Sequence, residues 1–152
     1  MDIDVEPAAP VKARATAIAV CVPLALLALW LVAIPANHPW RAATIDLMQS
    51  YAALLIAFCA GARFGMTRMG AEHDTGRTLL LTTIPVLAGW VALRFDQPWS
   101  FAILALAAAA QGAWDNFAAH RGDLPLWFGR YRVSITFAAV LAMIVGFLAT
   151  AS

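Results

Sequence analysis

The chain has 152 residues, of which 62% are hydrophobic and 12% charged. A typical soluble domain carries about 45–50% apolar and about 25% charged residues, so a water-soluble fold of this size could not hide so much apolar surface. Ten Lys and Arg against nine Asp and Glu leave a net charge of +1, which excludes a nucleic-acid binder built on bulk positive charge. Cys21 and Cys59 lie inside apolar runs and suggest neither a disulfide framework nor a zinc site. The apolar content also excludes disorder. The expectation is an all-α, polytopic membrane helix bundle in one integral domain, with the lipid bilayer as its surroundings and no cofactor, metal or nucleic acid.

Five apolar stretches follow one another. Residues 15–34 carry only Thr16 as a polar group, and twenty helical residues reach about 30 Å, the thickness of the hydrocarbon core. Residues 42–65 hold Asp46, Gln49 and Ser50 near their start. Residues 78–95 contain Pro85 and Gly89, and residues 99–119 place Gln111, Asp115 and Asn116 in their second half. The last stretch is 133–151. The connections are short and hold the turn residues and charges, as in Asp96-Gln97-Pro98 and His120-Arg121-Gly122-Asp123. No period-2 alternation is sustained, which argues against a membrane barrel.

Residues 1–13 form a short tail that opens with Asp2, Asp4 and Glu6. The first stretch exceeds the roughly 7–15 residues of a signal-peptide core, so a retained anchor is expected, a cleaved signal being the alternative. With five spans, eight Lys or Arg fall on the N-terminal side and two, Arg41 and Arg94, on the other. The positive-inside rule then puts the N-terminus in the cytoplasm and the C-terminus in the periplasm. The expected location is the bacterial cytoplasmic (inner) membrane, with the mitochondrial inner membrane as the alternative.

Three groups of residues stand out as sites. Ala57, Gly61 and Gly65 continue a four-residue stripe of small side chains, which predicts close approach of another helix. Gln111 and Asp115 share a face of the fourth stretch. A carboxylate in hydrocarbon costs about 2.5–3.5 kcal/mol at mid-membrane, so Asp115 should meet a cation. Arg63 and then Arg132 are the candidates, because all three lie at the same ends of their spans. The reading is a structural ion pair or, alternatively, a proton site. Leu124, Pro125, Trp127, Phe128, Arg130 and Tyr131 form an aromatic and basic connection that predicts an interfacial anchoring loop, or a docking surface for a partner. His38, His73 and His120 are not central in any stretch, and no Gly-x-Ser-x-Gly, His-Glu-x-x-His or Cys-x-x-Cys occurs. The chain is therefore not expected to be an enzyme.

The block from Tyr51 through Ala57, Gly61 and Arg63 to Gly65 resembles one in DUF3429, a family of unknown function that includes the mitochondrial transmembrane protein 69. Pro85 and Trp90, then Asp115, then Leu124-Pro125 with Trp127-Phe128, then Arg132 and Thr136 follow in the order of that family. The chain departs from it at Ala57, Ala60, Phe64 and Phe128, where serine, glycine, tryptophan and tyrosine are usual. The resemblance implies a multi-span inner-membrane protein and brings no activity. Two functions remain open. One is a non-enzymatic structural, accessory or assembly component of a membrane complex, with a membrane-protein partner. The other is a small transporter or proton-handling protein centred on Asp115. A dry, small-residue interior favours the first, and a polar cavity joining Asp46 to Asp115 favours the second.

Overall fold

A computed structural model describes residues 11–66 and 75–151. These form five helices in chain order: α1 (Val11–Ala33), α2 (Arg41–Met66), α3 (Thr75–Ala92), α4 (Trp99–His120) and α5 (Leu126–Ala151). The four matching apolar stretches 15–34, 42–65, 78–95 and 99–119 each lie within a few residues of a helix. Most of the expected tail, and His73 with its neighbours at 67–74, lie outside the described residues. Among the described residues, three helices are long and apolar enough to cross a membrane: residues Ala15–Ala33 of α1, all of α2 and all of α5. The chain is thus a membrane protein.

Among the described residues, α2 packs against each of the other four helices, and the α4–α5 pair is the most extensive. The exterior carries large apolar side chains such as Leu29, Leu54, Leu80, Leu106, Phe137 and Leu148. Water would reject such a surface, whereas lipid accepts it. Inside lie Leu24, Leu31, Met48, Ile56, Phe101, Leu104, Ile135 and Met143.

One end of the bundle is tied by Arg41. Its guanidinium donates to the carbonyls of Leu31 and Ile34 at 3.3 Å and to that of Ala149 at 2.5 Å. The last carbonyls of a helix lack an intrahelical donor, so one arginine at the start of α2 serves the ends of α1 and α5. At the opposite end α4 stops at Gly122, whose φ of 84° suits glycine. The Gly122 N–H donates to Ala119 O and the Asp123 N–H to Ala118 O, the bond pair of a Schellman stop. The chain thereby reverses within a few residues and returns as α5 against α4.

The last helix corrects the expected boundary. It begins at Leu126 rather than near 133, because the Pro125 carbonyl accepts from the Phe128 and Gly129 N–H groups. Trp127, Phe128, Arg130 and Tyr131 are therefore helical, and only Leu124 and Pro125 of the expected loop stay outside regular structure. Leu124 and Phe128 are buried with Ala118 and Ala119 in a small core of their own.

The small-residue stripe needs a second correction. Gly61 and Gly65 are exposed, and a Cβ built on either meets nothing within 4 Å. The close approaches lie elsewhere. A Cβ on Gly112 would fall 2.1 Å from Thr136 Oγ1, one on Gly129 2.7 Å from the Ala119 Cβ, and one on Gly146 2.7 Å from the Phe101 ring. All three are α4–α5 contacts. Four-residue spacing marks a face that can be approached, but another element must present itself there, and among the described residues none does so at Gly61 or Gly65.

Replacing Gly146 with Ala should therefore lower the melting temperature in detergent micelles. Phe101 is fully buried and has nowhere to move, and overpacking of this kind costs about 1–3 kcal/mol. Gly61→Leu should leave the melting temperature and the folded yield unchanged. The reverse ranking would mean that the α2 face, not the α4–α5 seam, is the tight one.

Candidate functional site

The polar centre of the molecule is built by three helices around one carboxylate. Asp115 lies five residues before the end of α4 and is 1% exposed. Arg63, near the end of α2, places Nη1 3.1 Å from Asp115 Oδ1. Arg132, in the second turn of α5, places Nε 2.5 Å from Asp115 Oδ2. Each carboxylate oxygen thus receives a charge-assisted bond from a different helix. Arg63 was the first partner expected and Arg132 the second, and the structure brings both to Asp115 at once. Arg132 has the shorter contact and is the more deeply buried.

The arrangement has a local logic. Arg63 sits in the last turn of α2, where a cation is favoured by the helix dipole. Asp115 and Gln111 lie one turn apart on α4 and both face inward. The sharp stop at Gly122 lets the start of α5 run back beside the end of α4, so that residue 132 faces residue 115. Removing one partner from a buried pair costs about 3–5 kcal/mol, because the remaining charge is left uncompensated.

Gln111 is buried but does not join the ion cluster. Its amide donates to the Ile56 carbonyl across 3.4 Å, longer than the usual 2.7–3.2 Å. It lines two cavities. A cleft of about 170 Å³ between α3 and α4 is bounded by Leu81, Thr82, Ile84, Pro85, Ala110 and Trp114, with Arg63, Gln111 and Asp115 at its floor. A void of about 20 Å³ lies on the other side of Gln111, next to Arg132, Cys59 and Thr136. Asn116, the third polar residue in the second half of this helix, is half-buried, and its carbonyl accepts from His120 if that ring carries its proton on Nδ1.

A second polar pair, not singled out by sequence reasoning, closes the far end of the interior. Gln49 Nε2 donates to Ser100 Oγ at 2.5 Å, and both residues are buried. Gln49 was read as part of a polar group with Asp46 and Ser50, but those two are exposed. The signal available in the sequence was a serine directly after Pro98-Trp99, in the first turn of a helix where hydroxyls are common, and that is too ordinary to attract notice. Among the described residues no group of three or more His, Cys, Asp or Glu side chains converges.

The aromatic and basic segment splits between inside and outside. Leu124 and Phe128 are buried, whereas Pro125, Leu126 and Arg130 are exposed. The Phe128 ring packs edge-on against Trp127 at 5.9 Å between centroids and lies tilted against Tyr131 at 6.1 Å. The segment seats the start of α5, and with it Arg132.

A family model matches residues 9–148. The chain belongs to the family described as Protein of unknown function (DUF3429). No curated protein and no solved structure matches it, so the likeness to transmembrane protein 69 gains no support there. In this DUF3429 chain the match takes in Arg63, Asp115 and Arg132 together with the helices that hold them.

Asp115→Asn and Arg132→Gln should each cut the folded yield and melting temperature in detergent. The double change should recover part of the loss, because Asp115→Asn alone strands two buried arginines and the double change strands only Arg63. Strict additivity of the two effects would show that the contact contributes nothing of its own.

Proposed function

We propose that this DUF3429 protein is a non-enzymatic, multi-pass component of the bacterial inner membrane, serving as a structural, accessory or assembly element of a larger membrane complex. In this reading all five helices span, with the N-terminus cytoplasmic and the C-terminus periplasmic, and the Asp115 cluster lies near the cytoplasmic surface. The 8:2 division of Lys and Arg supports that orientation.

One observation carries the functional reading. Between the Gln49–Ser100 pair and Asp115 the interior is filled by Ala52, Leu55, Ile56, Leu104, Ala108, Ile135 and Met143, all buried. The void among them, about 20 Å³, has room for about one water molecule. A transport path needs a polar lining that continues past this layer. The charged groups at the centre instead hold one another, as register-fixing groups do. Asp46, the outer acid that a path would use, is exposed and lies outside both inner cavities.

Affinity purification of the full chain from membranes in a mild detergent tests the reading. A defined membrane-protein partner should co-purify in constant proportion, and Asp115→Asn should lose it together with its own fold. A protein that purifies alone and supports pH-dependent ion flux in vesicles would instead establish the transport reading. Topology is tested separately. A reporter fused after Ser152 should read as periplasmic and one inserted beside Asp74 as cytoplasmic; a cytoplasmic C-terminus would overturn the five-span orientation.

A further inference from the structure

The cleft between α3 and α4 has a composition that the structural role of Asp115 does not explain. Its walls are Leu81, Thr82, Ile84, Pro85, Ala110 and Trp114, with Thr82 the one hydroxyl among them, and its floor is Gln111, Arg63 and Asp115. The floor residues are 7%, 4% and 1% exposed. Ile84 and Ala110, by contrast, are exposed and form a sideways mouth. The cleft lies where α4 faces α3 and packs less extensively than it does against α5, to which it presents Gly112.

We propose that this cleft binds a membrane-dissolved molecule with a flat, uncharged, carbonyl-bearing ring on an apolar tail, the chemistry of a membrane quinone. Four features of the site select that class. The first is size. An apolar cavity of about 150 Å³ takes up benzene, so one of about 170 Å³ admits a substituted six-membered ring. A second transmembrane helix, about 10 Å across, does not fit. The second is shape. The Trp114 indole and the Pro85 ring are both among the walls, and flat rings pack well on aromatic faces. Trp114 is itself under the Arg121 guanidinium, 5.8 Å from the ring centroid.

The third feature is a donor. The Gln111 amide holds the Ile56 carbonyl only at 3.4 Å, and an amide nitrogen carries two N–H groups. It can therefore donate to a ligand carbonyl without giving up a strong bond. The fourth is depth. Gln111 and Trp114 lie nine and six residues before the end of α4, which at 1.5 Å per residue is about 13 Å and about 9 Å inward. A phosphate headgroup does not reach so far into hydrocarbon. A charged head would also have to cross the apolar mouth, and an uncharged one need not shed a strong hydration shell.

The inference concerns binding alone and rests on the five-span reading, since the mouth must open to lipid. The full chain in phosphatidylcholine vesicles, titrated with decylubiquinone, tests it by quenching of tryptophan fluorescence. A saturable quenching component is expected above the linear background from partitioning, and Trp114→Phe should remove it. Ala110→Leu, which fills the mouth at an exposed position, should abolish saturation. Gln111→Leu should raise the half-saturation concentration while retaining the maximal quench. An equal amount of decanol should not compete. Linear quenching only, saturation unchanged in Ala110→Leu, or equal displacement by decanol overturns the proposal. Iodide, a quencher confined to water, separates this from failure of the five-span reading. If α3 and α4 lie outside the bilayer, iodide quenches Trp114 strongly whether or not the quinone binds.

Discussion

A single carboxylate shared by two arginines governs this bundle. Asp115, Arg63 and Arg132 come from α4, α2 and α5, and each is at most 4% exposed. A charge buried in apolar surroundings is costly unless it is paired and hydrogen-bonded. The three helices can therefore settle only where all three side chains meet. Sliding one helix by a turn, about 5.4 Å, would separate the pair and leave a bare ion. Apolar packing is far more permissive, because Leu, Ala and Ile make nearly equivalent contacts in neighbouring registers. The ion cluster thus fixes the relative depth of the helices, and packing then fills in around it.

The other polar contacts follow the same plan at other heights. Gln49 and Ser100 join α2 to α4 at the far end. The Tyr51 hydroxyl donates to the Val20 carbonyl at 2.9 Å and joins α2 to α1. Arg41 ties the ends of α1 and α5 to the start of α2. Each of these contacts involves α2, which also packs against every other helix. Without a hydrophobic driving force between helices in lipid, close packing and polar contacts must hold a bundle together. Here close packing is concentrated in the α4–α5 seam and polar contacts radiate from α2. The α3–α4 side packs less extensively than that seam, and the bundle's cleft is found there.

This division bears on function. Polar side chains inside a membrane protein are functional candidates by default, yet most of those buried here are engaged by one another or by backbone. Two are less fully held: Arg132, whose Nη1 is buried without a hydrogen-bond partner, and Gln111, with one long bond and two cavities beside it. A structural role for the charged cluster and a binding role for the cleft are compatible. The cluster forms the polar floor, and the opening lies between α3 and α4.

The amino-acid sequence alone determined the helical class, the approximate helix boundaries and the meeting of Asp115 with Arg63. Each depends on a local or one-dimensional cause: an apolar run long enough to cross hydrocarbon, a turn residue between runs, or a buried acid that must find a base at equal depth. The start of α5 was misplaced because aromatic and basic residues suit an interfacial loop and a first helical turn equally, and the Pro125 carbonyl decides between them. The small-residue stripe at Ala57, Gly61 and Gly65 was legible as a pattern, but a pattern on one helix does not say which helix lies opposite. Only the tertiary structure put α5 against Gly112, left Gly61 facing outward, brought Arg132 to the same carboxylate as Arg63, paired Gln49 with Ser100 and opened the cleft beside Gln111. Such contacts join residues far apart in the chain, and their geometry depends on how the helices pack, a property that no single helix encodes.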